Sequence, residues 1–512
     1  MKEQIPPTIR PDHVVPVAFT ELVANFALTI AHGGNSEITG ISMNTGDLRA
    51  GDLFVAMPGL KSHGALHVAK AIEGGASAII TDTAGLELIE SRSRPIALLE
   101  MPRLRLGELA AFVYGNSTEV MPKIFGTTGT NGKTSTTYIL EAILRQLGRT
   151  TGLTSTAERH IAGEKIVSRL TTPESTEMHA LIAKMREKSV TDIAIEVSAQ
   201  AMSQHRVDGL LFDVVGFTNL SHDHLDDYGT MGNYLSAKQL LFTPKYGRKG
   251  VICLDSGFGH EFAQKSEIPF VTISSKPDVS ANWHVEVSEE TPSHTAFKLT
   301  DSKTQELVSS LPLIGAHMAH NAGLAIVMLL EAGYEFVDIA NSILQGIDVY
   351  MPGRTERVTG DTGPDVYVDF GHSPDAFLNT LAAVRKVTTG KVIMVFGADG
   401  DRDATKRPAM AQVAARGCDL LVITDHHPRF EDPASIRKTL VECAKEARSE
   451  LEVLEVSPPE QAIREAVKRA QPGDSILWAG PGHQDYRDIR GVRTPYSARA
   501  EARAALKESG WS

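Results

Sequence analysis

Between Lys123 and Gln146 the chain reads KIFGTTGTNGKTSTTYILEAILRQ, a short apolar run, a glycine- and threonine-rich turn, and a segment with helical periodicity. Gly129, Thr130, Asn131, Gly132, Lys133, Thr134 and Ser135 therefore fall where a strand gives way to a helix. Backbone N–H groups and the helix dipole at such a junction cradle phosphates. Lys133 would neutralise the terminal phosphates of a nucleotide and the Thr134 hydroxyl would ligate magnesium. A plain glycine turn with a solvated lysine is the weaker reading, because strand, loop and helix occur in the required order. The strict phosphate-loop pattern nevertheless fails, since Thr127 stands five residues before Gly132 where a glycine is expected. A generic ATPase is thus a poorer match than a specialised variant.

The elements that must position this loop can be read on either side of it. Ile139, Ile143, Leu144 and Leu147 recur at helical spacing, and Gly148 is a plausible stop. Short apolar strands follow at DIAIEV (192–197), DVVGFTN (213–219) and GVICLD (250–255), separated by helical stretches. That alternation predicts a parallel sheet. Earlier, LFVAM, LHVAKAIEGGA and SAIIT read as a small strand–helix–strand unit within 38–82. After PGR (352–354) the alternation restarts with VYVDF, VIMVFG, LLVITD and SILWAG. The expected fold class is α/β with three domains. They are a small N-terminal α/β domain over 1–116, a central doubly wound, mostly parallel P-loop domain over 117–348, and a C-terminal Rossmann-like α/β domain over 349–512. The polar stretch 275–309 reads as strands of an insertion, and no internal repeat stands out.

Bulk properties narrow the function classes. A chain of 512 residues exceeds what one core supports, which agrees with several domains. With 42% hydrophobic and 22% charged residues it has globular composition, and no apolar run is long enough to cross a bilayer. The net charge of −12, without a basic cluster, argues against nucleic acid or an anionic membrane as partner. Cys253, Cys418 and Cys443 are too far apart in sequence for a metal knuckle and suggest no disulfide framework. The opening MKEQIPPTIRPDH has no apolar core, so no secretory signal is expected and a cytoplasmic location is.

The loop variant GTTGTNGKTST resembles the Mur ligase and folylpolyglutamate synthetase superfamily. Thr171-Thr172-Pro173, EVSAQAMSQHR (196–206), TNLSHDHLDDYG (218–229) and YLSAK (234–238) resemble its MurE-type branch, the UDP-N-acetylmuramoyl-tripeptide synthetases. The likeness continues through GAHMAHN (315–321), PGR, DFGHSPDA (369–376), FGADGDRDATKRP (396–408) and GPGHQDYR (480–487). Such a resemblance implies an ATP- and Mg²⁺-dependent ligase of the ADP-forming peptide-synthase type, active in peptidoglycan precursor synthesis. Its carboxylate substrate would be activated as an acyl phosphate before an amine displaces phosphate. By the same resemblance Lys133, Glu196, His224 and Lys238 are the catalytic set. Thr134 and Glu196 would serve one magnesium, and His224 and Lys238 a second, Lys238 as a CO₂-derived carbamate (N6-carboxylysine). Asn321 and Arg354 match adenine-side and hinge positions, while Asp369 and His372 match a nucleotide-facing motif.

UDP-N-acetylmuramoyl-L-alanyl-D-glutamate would be held by Thr45, Thr171, Thr172, Ser198, Gln204 and Arg206. The amino acid would be held by Arg407, His426, His427, Arg429, Gly480 and Gln484, with Arg407 and Arg429 expected to be available for carboxylates. The chain departs from the family pattern at both ends. Asn44-Thr45-Gly46 replaces Asp-Ser-Arg on the uridine side, and His426-His427-Pro428-Arg429 replaces Asp-Asn-Pro-Arg on the amino-acid side. Gln484 replaces a glutamate, Pro481 a lysine, Met318 an asparagine, and Ala398-Asp399 a Cys-Gly or Gly-Gly pair. These departures leave the added amino acid open among L-lysine, meso-diaminopimelate, L-ornithine and related acids. A zinc site at the paired histidines is the weaker reading, because adjacent residues seldom ligate one ion and no cysteine partner is at hand. Two rival readings are a folylpolyglutamate synthetase-like ligase and a non-catalytic nucleotide-binding paralogue. A monomer acting on small molecules is the expected state.

Overall fold

The strand Lys123–Thr128 sends alternate residues to opposite faces. Ile124 packs with Ile193, Ile195, Phe212 and Phe217, whereas Phe125 packs with Ile139, Ile143 and Leu153. A sheet apolar on both faces needs cover on both, and helices supply it. Lys133–Gln146 and Ala316–Glu331 lie on one side, and Ser175–Glu187 on the other. The computed structural model describes residues 8–59, 61–117, 121–302, 305–360 and 362–511. Residues 1–7, the start of the segment from which the absence of a secretory signal is read, lie outside them.

The central sheet has eleven strands. Thr151–Thr154, Asp192–Glu196, Lys123–Thr128, Phe212–Phe217, Gly247–Cys253, Phe270–Ser274 and Trp283–Glu290 run parallel in that spatial order. The hairpin Glu158–Ile161 and Glu164–Val167 extends one edge antiparallel, and Thr295–Asp301 with Glu306–Leu311 extends the other. The stretch read as an insertion is therefore a continuation of the main sheet. Because Lys123–Thr128 lies between Asp192–Glu196 and Phe212–Phe217, the carboxyl ends of all three strands open on the same crevice.

Among the described residues two larger sheets flank this one, besides two two-stranded ribbons. Toward the N-terminus a five-stranded sheet runs Thr29–His32, Ile96–Leu98, Ala76–Thr81, Asp52–Ala56, Gly40–Ser42, parallel except for the first pair. Toward the C-terminus a six-stranded sheet runs Glu356–Arg357, Asp365–Asp369, Ser475–Ala479, Val392–Phe396, Leu420–Ile423, Val453–Glu455, again parallel except for the first pair. Among the described residues no helix is long and apolar enough to cross a membrane.

The N-terminal unit is pinned to the central one through a buried polar knot. His179 is fully buried, with Nε2–H donating to the Asp208 carbonyl at 3.0 Å and Nδ1 accepting from Asn116 Nδ2 at 3.2 Å. Arg186 donates to the Asn116 side chain and to the Gly115 carbonyl. Burial pushes the His179 pKa down to about 4, from an ordinary value of 6.5. An unfolded chain therefore takes up a proton near pH 6.5 that the folded chain refuses until about pH 4. Stability should fall by about 3 kcal/mol as pH is lowered across that window. Urea unfolding at several pH values checks this, and His179→Gln should flatten the dependence.

Candidate active site

The loop after strand Lys123–Thr128 requires glycine at two places. Gly129 has φ +151° and Gly132 φ +86°. A Cβ at Gly129 would lie 1.8 Å from Thr218 Oγ1, and one at Gly132 2.6 Å from Asn321 Oδ1. The segment Thr218–Ser221 straps the loop from the neighbouring strand's end. Thr218 Oγ1 donates to the Asn131 carbonyl at 2.6 Å, and Asn131 N–H donates to Asn219 Oδ1 at 3.0 Å. Thr130 N–H donates to the Asn219 carbonyl at 2.9 Å, and Ser135 is buried one turn into the helix.

Two lysine amines meet at this loop. Lys133 Nζ donates to the Gly129 carbonyl at 3.0 Å and to the Thr130 carbonyl at 2.8 Å. Lys238, 1% exposed, donates to the same Gly129 carbonyl at 2.7 Å and rests 4.4 Å from the centre of the Tyr234 ring. Burial, then the charge of Lys133, drives the Lys238 pKa well below the ordinary lysine range, and burial lowers that of Lys133 as well.

Glu196, 2% exposed, is the anion of the crevice. It accepts from Thr134 Oγ1 at 2.9 Å, from Thr156 N–H at 2.8 Å and from Thr156 Oγ1 at 3.0 Å. Thr134 Oγ1 in turn accepts from Arg354 Nη2 at 2.8 Å, and the Arg354 guanidinium stacks 4.5 Å from the Phe370 ring centre. His224 makes no hydrogen bond to this group; it is 42% exposed, with φ +55° and its ring 5.9 Å from that of Tyr234, and burial together with the charges of Lys133 and Lys238 lowers its pKa. Its ligand atoms and those of Asp226 and Asp227 lie within 4.8 Å of one another.

The C-terminal unit closes over the loop through three side-chain links. Arg354 reaches Thr134, Asp375 accepts from Asn131 Nδ2 at 2.8 Å, and Lys406 donates to Asp223 at 3.1 Å. His372 Nδ1–H donates to the Phe370 carbonyl at 2.9 Å, leaving Nε2 unprotonated in the neutral ring. Both Asp369 oxygens are occupied locally, one by Thr355 N–H at 2.7 Å and the other by Gly371 N–H at 2.6 Å. In this arrangement Asp369 braces the turn that carries Arg354 and His372.

The residues expected on the peptide side lie around Glu196. Thr172 Oγ1 donates to the Glu196 carbonyl at 2.8 Å, and Thr171 Oγ1 lies 3.0 Å from that of Thr156. The Ser198 hydroxyl caps helix Ala199–Ser203, and Arg206 is engaged with Glu174 at 2.9 Å and with Gln204 at 2.7 Å. Thr45 is half-buried, and two residues on Asp47 pairs with Arg169 at 3.2 Å. That pair joins the N-terminal loop to the Thr171–Thr172 turn.

Three family models match the chain: Mur ligase family, catalytic domain, at residues 37–114, Mur ligase middle domain at 127–329, and Mur ligase, glutamate ligase domain, at 353–482. The UDP-N-acetylmuramyl-tripeptide synthetase of Leifsonia xyli is 51% identical over 509 residues, which cover 99% of each chain. The chain belongs to the Mur ligase family. The UDP-N-acetylmuramoyl-L-alanyl-D-glutamate--2,6-diaminopimelate ligase of Streptomyces coelicolor is 39% identical to this Mur ligase over 98% of each chain. Among solved structures, one of a UDP-N-acetylmuramoyl-L-alanyl-D-glutamate--2,6-diaminopimelate ligase superposes with TM-score 0.67 at 24% identity, covering 97% of this chain and 100% of that one. MurF from Acinetobacter baumannii gives TM-score 0.68 at 17% identity, covering 91% and 96%, and shares the fold.

The residues expected to hold the amino acid lie at the carboxyl ends of the C-terminal sheet. His427 accepts from Asp488 N–H at Nδ1 (3.0 Å), so Nε2 carries the proton and donates to Gln484 Oε1 at 2.8 Å. Both ring nitrogens are thus occupied, which disfavours a metal there although Asp399, His426 and His427 place their ligand atoms within 4.8 Å. His426 stacks on His427 with centroids 4.1 Å apart, and burial pushes its pKa down to about 3. Gly480 has φ +113°, and its N–H donates to the Asp369 carbonyl at 2.9 Å.

The expectation that both arginines stand available for carboxylates needs correction. Arg407 makes a bidentate pair with Glu431, each bond 2.9 Å, and also donates to the Asp399 carbonyl. Arg429 Nη1 donates to the Gly400 carbonyl at 2.5 Å, with Asp399 at 3.6 Å and Asp488 at 3.9 Å from its other nitrogens. Sequence reasoning also passed over Thr156, Tyr234, Lys406 and Asp399 as functional groups. For Lys406 and Asp399 the signal lay inside the FGADGDRDATKRP motif and for Tyr234 inside YLSAK, whereas Thr156 had none. Gly129→Ala should weaken nucleotide binding at least tenfold because its methyl group would collide with Thr218. Titration with a fluorescent ATP analogue, beside a thermal melt to verify folding, measures the effect.

Proposed function

We propose that this ligase joins the carboxylate of UDP-N-acetylmuramoyl-L-alanyl-D-glutamate to a third amino acid at the expense of ATP. The acceptor belongs to the group of L-lysine, meso-diaminopimelate and related diamino acids, and the product is a peptidoglycan precursor. One observation carries the reading: Thr134 and Glu196 pair beside two amines, Lys238 buried and Lys133 half-buried, at a phosphate loop over which the third unit closes. The names of the relatives agree with it.

The reaction begins with transfer of the γ-phosphoryl group to a carboxylate oxygen, giving ADP and an acyl phosphate. Backbone N–H groups at the start of helix Lys133–Gln146 and the Lys133 amine hold the phosphates and offset their charge. Thr134 and Glu196 offer hard oxygen donors suited to Mg²⁺, and His224 with a carbamylated Lys238 would serve a second ion. When bound, magnesium neutralises phosphate charge and aligns the transferred group. The acceptor amine then attacks the acyl carbon, phosphate leaves, and the amine loses a proton. Closure through Arg354, Asp375 and Lys406 excludes water that would hydrolyse the acyl phosphate.

Carbamylation needs an unprotonated amine, whose nitrogen bonds to the carbon of CO₂ and releases a proton. Burial of Lys238 favours that neutral form. The remaining assignments follow the same reading. Thr45, Thr171, Thr172, Ser198, Gln204 and Arg206 serve the nucleotide-linked peptide, and Asn321, Arg354, Asp369 and His372 serve ATP directly or by bracing its contacts. The domain limits are 1–116, 117–348 and 349–512, and the enzyme works as a cytoplasmic monomer.

Phosphate release with ATP, Mg²⁺ and the UDP-linked dipeptide, followed by mass analysis of the product, tests the reaction. Absence of an amide product with any amino acid would sink it. Lys238→Ala should lower turnover at least a hundredfold, with partial recovery when a short-chain carboxylic acid replaces the carbamate. Full activity of the variant without that acid removes the carbamate from the mechanism.

A further inference from the structure

The acceptor end of the crevice has an unbalanced carboxylate. Asp399 Oδ1 is buried and makes no hydrogen bond, and it faces a small cavity lined also by His372, Asp403, Lys406 and His426. His426 Nε2 stops 3.7 Å from this oxygen, beyond hydrogen-bond distance, while Arg429 Nη2 lies 3.6 Å from the other carboxylate oxygen, Oδ2. A second oxygen on this cavity, Asp403 Oδ2, is likewise buried without a hydrogen bond. A buried anion with an unfilled acceptor site is costly until a donor, preferably a charged one, arrives.

The cations around this cavity are already engaged. Arg407 is paired with Glu431, and Lys406 with Asp223. Arg429 stands between Asp399 and Asp488. Burial keeps His426 and His427 neutral near pH 7, so neither supplies positive charge. Farther out, Arg487 lies against Asp425, which Arg437 also engages. An ammonium entering this cavity gains the Asp399 oxygen that holds no hydrogen bond, whereas a carboxylate entering it meets the Asp399 charge where the Arg407 and Arg429 guanidiniums are already ion-paired and only the Arg407 Nε–H is unfilled.

The cavity is also in the right place. His372 and the Lys406–Asp223 pair border it on the side of the phosphate loop, and His426 borders it on the other. An amino acid whose α-amine points to the acyl phosphate would put its far end against Asp399. We propose that Asp399 selects the acceptor by receiving the distal ammonium of a diamino monocarboxylic acid and by rejecting one that carries a carboxylate at that end. This rests on the ligase reading above and restores, on a different loop, the anion that Gln484 lacks.

Competition among acceptors tests it. With the complete enzyme, ATP, Mg²⁺ and the UDP-linked dipeptide, kcat/KM should be at least tenfold higher for the best of 2,4-diaminobutyrate, L-ornithine and L-lysine than for meso-diaminopimelate. Asp399→Asn should raise KM for that best acceptor at least tenfold while leaving KM for ATP unchanged. Asp399→Glu, which keeps the charge, should retain the preference, and thermal melts of both variants verify folding. Equal or better use of meso-diaminopimelate by the natural sequence, or an unaltered acceptor KM in Asp399→Asn, overturns the assignment without touching the ligase reading. Failure of every acceptor to give an amide overturns the ligase reading first.

Discussion

Two amines share one carbonyl oxygen, that of Gly129, the Lys238 amine fully buried and the Lys133 amine half-buried. Charge on the two amines is mutually unfavourable there, because each loses hydration and each repels the other, and both pKa values are lowered. Much of the central unit is arranged around that constraint. Glycine at 129 allows the carbonyl to face both lysines, Tyr234 lays its ring beneath Lys238, and Glu196 supplies the compensating anion one strand away. The parallel register that sets Glu196 opposite Thr127 makes the arrangement possible.

The links between the central and C-terminal units run through the same groups that a nucleotide would engage. Thr134 is bonded to Arg354, and Asn131 to Asp375. Binding and closure are therefore coupled at the level of single hydroxyl and amide groups, since a ligand that claims Thr134 must rearrange the contact that holds the lobes together. Such coupling lets assembly of the reactive centre wait for substrate.

Local pattern made the scaffold legible. The run KIFGTTGTNGKT, with helical spacing after it and apolar strands beyond, announces a phosphate loop in a doubly wound sheet, because each signal lies within a few residues of the next. Contacts between distant segments were not legible. Thr156 reaches Glu196 across 40 positions, and Arg169 reaches Asp47 across 122. Arg407 looked available for substrate because Glu431, 24 positions on, gives no hint in sequence that it returns to face it. The stretch 275–309 read as an insertion for a related reason: alternation shows strands but not the sheet they join.

The loops bearing Asp399, His426 and Gln484 follow three neighbouring parallel strands, Val392–Phe396, Leu420–Ile423 and Ser475–Ala479. None of the three contributes to the sheet that carries the phosphate loop. On the proposed assignment, exchanging a few side chains at the tips of this one sheet would change which building block is accepted without altering the strands that hold the phosphate loop. Choice of building block and consumption of ATP would then be separable by mutation, each sited at the strand tips of its own sheet.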